Sequence, residues 1–204
     1  MSATPHHPVK MIVGLGNPGE NYSRTRHNAG AWFLEHLSSA YNTQLSPEKK
    51  FFGMTGRIVV NNQTIHLLVP TTFMNCSGRA VVAMANFYRV APESIFVAHD
   101  ELDFPAGVAR LKRGGGHGGH NGLRDIIQKL GNNKNFMRLR IGIGHPGDRQ
   151  DVTGYVLKSP SKAELALIDN TIIEALRVLP EIILEKWNNA VQQLHRADAR
   201  NPSF

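Results

Sequence analysis

Apolar positions along the chain fall into short continuous runs and helical stripes, and their succession predicts most of the elements. The segment Val9 to Leu15, centred on the apolar run Met11-Ile12-Val13, is followed by Gly, Asn and Pro. It predicts a buried strand with a loop at its carboxyl end. Ala29 to Ala40 carries Trp32, Phe33, Leu34 and Leu37 at the spacing of an amphipathic helix. Phe51 to Val60 and Thr64 to Val69 flank Asn61-Asn62-Gln63, a hairpin signal. Pro70 then breaks the strand, and a helix follows with Val81, Val82, Met84, Ala85, Phe87 and Tyr88 inside, stopped by Pro92. Ile95 to Ala98 is a short buried strand ending on His99-Asp100-Glu101-Leu102-Asp103, and Val108 to Lys112 alternates as a sheet strand does. Gly114 to Gly122 reads as a mobile loop opening a helix packed through Leu123, Ile126, Ile127 and Leu130 and ended by Gly131. Arg138 to Gly144 is a further alternating strand, left through the turn His145-Pro146-Gly147-Asp148. Ser161 to His195 gives two helices interrupted near Pro180, with Leu165, Ile168, Ile172, Leu176 and Leu179 on one stripe.

Strands interspersed with helices, together with a hairpin, imply a mixed rather than a purely parallel sheet. At 204 residues and 41% hydrophobic, with no linker, repeat or shift of composition, the chain suits one folded domain. The expected class is therefore α/β, a single globular domain with a mixed central β-sheet flanked by helices. The first ten residues, with His6-His7, and the tail after Arg196 read as disordered. The longest apolar runs are too short to cross a bilayer and the N-terminus lacks a signal-peptide core, so the cytoplasm is the expected compartment. The single cysteine, Cys76, excludes an internal disulfide and agrees with a reducing environment. Its place in an apolar helical pattern predicts a buried thiol.

Charge changes the picture. Lys plus Arg number 23 against 16 Asp plus Glu, a net +7, which favours a polyanionic partner. The basic residues gather at Lys112, Arg113, Arg124, Lys129, Lys134, Arg138, Arg140 and Arg149, in the same half as the glycine-rich loop. Individually each is accounted for as a solvated surface residue; the cluster is harder to account for in that way.

Four polar segments each end or follow an apolar strand: Asn17 to His27, Phe73-Met74-Asn75, His99-Asp100, and His120-Asn121. Sheet edges are where open α/β folds bind ligands. Gathered on one edge, these segments supply a histidine, a carboxylate and three carboxamides. Neutral imidazole can take a proton from water near neutral pH, and a carboxylate on its other nitrogen fixes the tautomer and raises its basicity. Asp100 fits that orienting role. Carboxamides offer a donor to a carbonyl and an acceptor to an N–H, so they suit a substrate built of peptide and ester groups. The turn after the first strand presents Asn17 with both its donor and its acceptor available.

Other chemistries fit less well. Gly14-x-Gly16-x-x-Gly19 matches a dinucleotide fingerprint by count, but Pro18 occupies the phosphate turn and no ribose-binding acid follows at the required distance. His117-x-x-His120 lies on a glycine loop without an evident third ligand, and no metal set stands out. Neither Ser23 nor Ser77 sits in a nucleophile elbow. The default readings of single residues are structural: His27 as a capping or solvated residue, His99 as a core histidine bonding backbone, Phe73 and Met74 as packing.

Taken together, Val13-Gly-Leu-Gly-Asn-Pro-Gly19, Thr25-Arg-His-Asn-Ala-Gly30, Pro70-Thr-Thr-Phe-Met-Asn75, His99-Asp-Glu-Leu-Asp103 and Gly114-Gly-Gly-His-Gly-Gly-His-Asn-Gly122 closely resemble the bacterial peptidyl-tRNA hydrolases. The resemblance covers residues 9 to 196 as one domain, with an extension at 1–8 outside the family pattern and a flexible tail at 197–204. It implies a monomeric α/β globule without a cofactor that hydrolyses the ester joining a peptide to the terminal ribose of tRNA, recycling tRNA from stalled or dropped-off chains. By the same resemblance His27 is the general base, Asp100 stabilises its basic form, and Asn17 separates N-blocked from free aminoacyl esters. Tyr22, Phe73, Asn75 and Asn121 contact the tRNA substrate, and Met74 and His120 line the cleft. Lys112 and Arg140 hold acceptor-stem phosphate, with Arg113 and Arg149 as further candidates. Two rivals remain: a non-catalytic RNA-binding module on the same fold, which would not need the His27–Asp100 pair, and a nucleotide-dependent enzyme using the glycine loop as a phosphate cradle, which lacks a Gly-Lys-Ser/Thr ending.

Overall fold

The computed structural model describes residues 7–147 and 152–200. Its centre is β1 (Met11–Gly14), whose four residues are all buried because it is flanked on both sides by parallel strands. The other strands are β2 (Ser46–Glu48), β3 (Gly53–Val60), β4 (Gln63–Pro70), β5 (Ile95–Glu101), β6 (Ala109–Arg113) and β7 (Met137–Gly142). They form one sheet in the order β2-β3-β4-β1-β5-β7-β6. Strands β4, β1, β5 and β7 run parallel; β2, β3 and β6 join antiparallel, which gives the expected mixed sheet. The β3–β4 hairpin turns on Asn61 and Asn62, at φ 48° and 62°. Two left-handed central residues are what a type I′ turn requires, and Asn tolerates them.

Helices cover both faces. On one side, α2 (Ala29–Ala40), α6 (Lys162–Ile183) and α7 (Trp187–Arg200) enclose a core with Phe33, Phe96, Leu139 and Ile172. On the other, α3 (Ser77–Tyr88) and α4 (Asn121–Lys129) enclose Met11, Val13, Leu68, Val97 and Phe136. Two short helices, α1 (Glu20–Ser23) and α5 (Val152–Val156), lie near the rim of the sheet's carboxyl edge. The contact of α2 with the sheet is backbone-close: a Cβ at Gly30 would lie 2.2 Å from the Ala98 carbonyl oxygen, so only glycine fits there.

Several expectations are corrected. Helix α6 continues through Pro180 and ends instead at Ile183, with Leu184 as its C-cap and Glu185 left-handed at φ 60°. The Lys186 N–H bonds to the Glu181 carbonyl and the Glu185 N–H to that of Ile182, a Schellman termination built without glycine. Cys76 is exposed, because the chain at 74–76 is a single 3-10 turn and α3 begins only at Ser77. Phe87 and Tyr88 are 59% and 39% exposed, packed on Phe51 at the surface rather than inside. Of the first ten residues, Val9 is buried and Lys10 pairs with Ser94, while α7 extends past Arg196 to Arg200. Arg149 and Asp148 lie outside the described residues.

Candidate active site

The carboxyl ends of β1, β4 and β5 share one edge, and the polar segments that follow them meet there. Residue 27 arrives from β1 through a loop and a 3-10 turn, Arg26–Asn28, that leads into α2. Asp100 is the penultimate residue of β5. His120 is the N-cap of α4, whose first residue is Asn121. Together with Asn17, Phe73, Met74, Asn75, Glu101, Leu102 and part of the glycine loop, these residues line a cleft of about 620 Å³.

At its floor His27 Nδ1 lies 2.9 Å and 3.0 Å from the two carboxylate oxygens of Asp100. A carboxylate only accepts, so Nδ1 carries the proton and Nε2 keeps its lone pair. His120 donates from Nε2 to Asp100 Oδ1 at 2.9 Å, and its Nδ1 accepts the Leu123 N–H at 3.3 Å, which fixes the second tautomer. Burial alone would lower the His27 pKa, but the charge of Asp100 and its hydrogen bond outweigh that and hold it above the ordinary value. Burial would raise Asp100; His27 and His120 hold it well below the usual carboxylate range instead. The ligand-type atoms of His27, Asp100 and His120 lie within 4.8 Å of one another, a donor set that could take a metal ion. The two histidine–carboxylate hydrogen bonds already account for the arrangement.

Asn17 is gripped from three sides. Its N–H donates to Asn28 Oδ1 at 2.9 Å, its carbonyl accepts from Asn28 Nδ2 at 3.0 Å, and its Oδ1 accepts the Met74 N–H at 2.8 Å. The side chain is thus not available through both donor and acceptor, as the sequence suggested. The acceptor is used internally, which leaves the Nδ2 amide as the remaining polar group of a residue that lines the cleft. Arg124 donates to Asn121 Oδ1, which orients that carboxamide in the same sense.

The remaining sequence candidates divide between the cleft and its surroundings. Phe73 is 60% exposed at the cleft mouth, and Tyr22 stands edge-on to it at 6.3 Å without itself lining the cleft. Lys112 and Arg140 lie outside the lining. The register Arg110↔Arg140 and Lys112↔Arg138 puts four cations on one face of the β6–β7 ladder. Lys112 is exposed, whereas Arg140 Nε donates to Glu101 Oε2 at 2.8 Å. Arg113 points to the other face and covers the Trp187 ring at 4.5 Å. His99 is the core residue its default reading describes: Nδ1 donates to the Asp100 carbonyl at 2.7 Å, and burial, then the His120 charge, pull its pKa down to about 3.

Three residues that sequence reasoning passed over position the others. Buried Arg26 reaches the Tyr155 and Lys158 carbonyls and the Glu164 carboxylate, tying the turn that carries His27 to α6. Asn28 clamps Asn17. Arg138, 2% exposed, donates to the Gly115 and Gly116 carbonyls and so staples the glycine loop across the sheet, while burial and the Arg140 charge lower its pKa to about 10. The only available signal was that Arg26 and Asn28 flank His27 in a polar motif; nothing set Arg138 apart from its basic neighbours.

A carboxylate-oriented imidazole in an open cleft at the carboxyl edge of a mixed α/β sheet suits general-base hydrolysis, and comparison with known proteins places the chain among hydrolytic enzymes. The family model for peptidyl-tRNA hydrolase matches residues 11–202, and the chain belongs to that family. Peptidyl-tRNA hydrolase from Pectobacterium carotovorum is 59% identical over 187 residues, covering 92% of this chain and 96% of that protein. The enzyme from Tolumonas auensis is 56% identical over 188 residues, covering 92% and 95%. The crystal structure of peptidyl-tRNA hydrolase from Acinetobacter baumannii matches at a TM-score of 0.89 and 47% identity, covering 94% of this chain and 97% of that one.

Proposed function

We propose that the protein hydrolyses the ester between a peptide and the terminal ribose of tRNA, with His27 as general base. The observation that carries this reading is the His27–Asp100 pair on the cleft floor, with Nε2 of His27 left as the basic atom. A water molecule attacks the ester carbonyl as Nε2 takes its proton, and the charge of Asp100 stabilises the imidazolium that forms. The tetrahedral intermediate then expels the ribose oxygen, which receives the proton back from Nε2. The products are intact tRNA and a peptide carboxylic acid, which gives the second proton of the attacking water to solvent as it ionises.

The amide groups of Asn17, Asn75 and Asn121 face this reaction as donors to substrate carbonyls. For Asn17 the sense is fixed by the Met74 N–H on its Oδ1. A donor there matches the carbonyl of a blocked amino group and is mismatched to a free ammonium. Tyr22 and Phe73 supply aromatic surface to the terminal bases. Met74 and His120 complete the wall, and Lys112 and Arg140 hold acceptor-stem phosphate. In this reading the enzyme is a cytoplasmic monomer acting without a cofactor, and tRNA is its partner. Among the described residues no helix is long and apolar enough to cross a membrane.

Release of the acyl group from N-acetylaminoacyl-tRNA, without added nucleotide, tests the reading against a binding module and a nucleotide-dependent enzyme. Turnover is expected from the wild type, and its absence sinks the proposal. On the same assay Asn17→Asp is expected to lower the ratio of blocked to free aminoacyl-tRNA hydrolysis. A fall in rate at constant ratio would make Asn17 structural.

A further inference from the structure

The segment that ends β5 serves opposite faces of the sheet with successive carboxylates. Asp100 turns toward His27. Glu101 turns the other way, where Oε2 takes the Arg140 Nε–H at 2.8 Å. Two more residues of the same segment reach that guanidinium: Asp103 Oδ2 lies 3.5 Å from Nη2, and the Phe104 ring lies under the plane at 4.5 Å. The two acids are held differently. The Glu101 side chain is 15% exposed, and its second oxygen accepts the Asp103 N–H at 3.2 Å. The Asp103 side chain is 75% exposed and meets Arg140 from solvent.

We propose that Glu101 is a positioning residue that strengthens tRNA binding through Arg140, and that Asp103 is a competing carboxylate that weakens it. The proposal rests on the reading that Arg140 contacts tRNA phosphate. Glu101 takes Nε and Phe104 takes one face, which leaves the terminal amino groups as the edge for a bidentate phosphate. A guanidinium already fixed in plane loses less side-chain freedom when the phosphate arrives. Asp103 sits at that outer edge. Its charge engages Nη2 and repels an incoming phosphate, so docking requires it to yield. Acids one and three positions from the catalytic carboxylate thus set how firmly the substrate is gripped.

The test measures KM and kcat for full-length N-acetylaminoacyl-tRNA and for a short CCA-ended analogue. Glu101→Gln and Asp103→Asn are made in the wild type and in an Arg140→Ala background. Asp103→Asn is expected to lower the KM for full-length substrate about two- to fivefold, the scale of one exposed ion pair. Glu101→Gln keeps the side-chain shape and is expected to raise it roughly three- to tenfold, the scale of one charge-assisted hydrogen bond. Both effects should shrink on the short analogue and vanish without Arg140. A KM that stays put or moves the other way overturns the assignment of that residue. Equal shifts on the short analogue also overturn it, because Glu101 lines the cleft as well and would then act there. An Arg140→Ala enzyme with unchanged KM on full-length tRNA would instead remove the phosphate reading itself. That outcome is distinguishable from failure of the two acids alone.

Discussion

Asp100 and Asp103 lie three residues apart, yet one side chain is 3% exposed and bonded to two imidazoles while the other is 75% exposed beside a single guanidinium. Around Asp100 the charges are shielded from water, and both carboxylate oxygens are hydrogen-bonded to imidazole N–H groups. A change there acts through low dielectric and is felt by the reacting proton. Around Asp103 solvent and salt compete for the same charges, so a change acts weakly and mainly on encounter and grip. In the proposed reading the site separates chemistry, which needs a dry and fixed carboxylate, from tRNA binding, which needs cations a polyanion can reach and leave.

The largest expected effect lies on the dry side. His27→Ala should keep the fold and tRNA affinity while turnover falls by roughly 10²–10⁴, the usual share of a general base. Near wild-type hydrolysis by a folded variant would dissolve the contrast between the two regions. Asp100→Asn should cost less and leave a signature in pH. His27 must be neutral to act, and Asp100 raises its pKa, so activity is lost as pH falls through that raised value. Without the carboxylate, burial remains and the acid limb of the kcat profile should move to lower pH, with a reduced plateau. A limb that stays in place would disconnect Asp100 from the base. The smallest effect belongs to the wet side. Lys112→Ala should flatten the slope of log affinity against log salt by roughly 0.7 to 0.9 and leave kcat nearly unchanged. An unchanged slope would place Lys112 off the tRNA path.

How much of this was legible in the sequence follows from how local each cause is. The β3–β4 turn could be read because Asn61-Asn62 contains its own reason, two residues that tolerate positive φ. Pro180 misled because a helix break costs about 3 kcal/mol on local grounds, yet Leu179, Ile182 and Ile183 are all buried and hold the helix together across it. The true end, at left-handed Glu185, has no glycine to announce it. Cys76 was misplaced by one turn, since the apolar helical stripe belongs to α3, which begins only at Ser77, and the cysteine lies in the 3-10 turn before it. The pairing of His27 with Asp100 was legible through the family resemblance of the two separate motifs that carry them. The second imidazole on that carboxylate was not, because only the tertiary path of the glycine loop brings His120 to Asp100. Arg138 was invisible for the same reason: buried and solvated arginines read alike until a loop is found lying across one of them.

Strand β6 joins the sheet only through β7, although β7 follows it in sequence and is wedged between β6 and β5. A chain emerging from the ribosome therefore makes β6 and the glycine loop before their seat exists. The strand that seats β6 and the glycine loop is complete in sequence only at Gly142, and Glu164, the partner of Arg26, follows later still. During its own manufacture this polypeptide is itself an ester on tRNA. The order of its strands keeps the cutting site unfinished for most of that time.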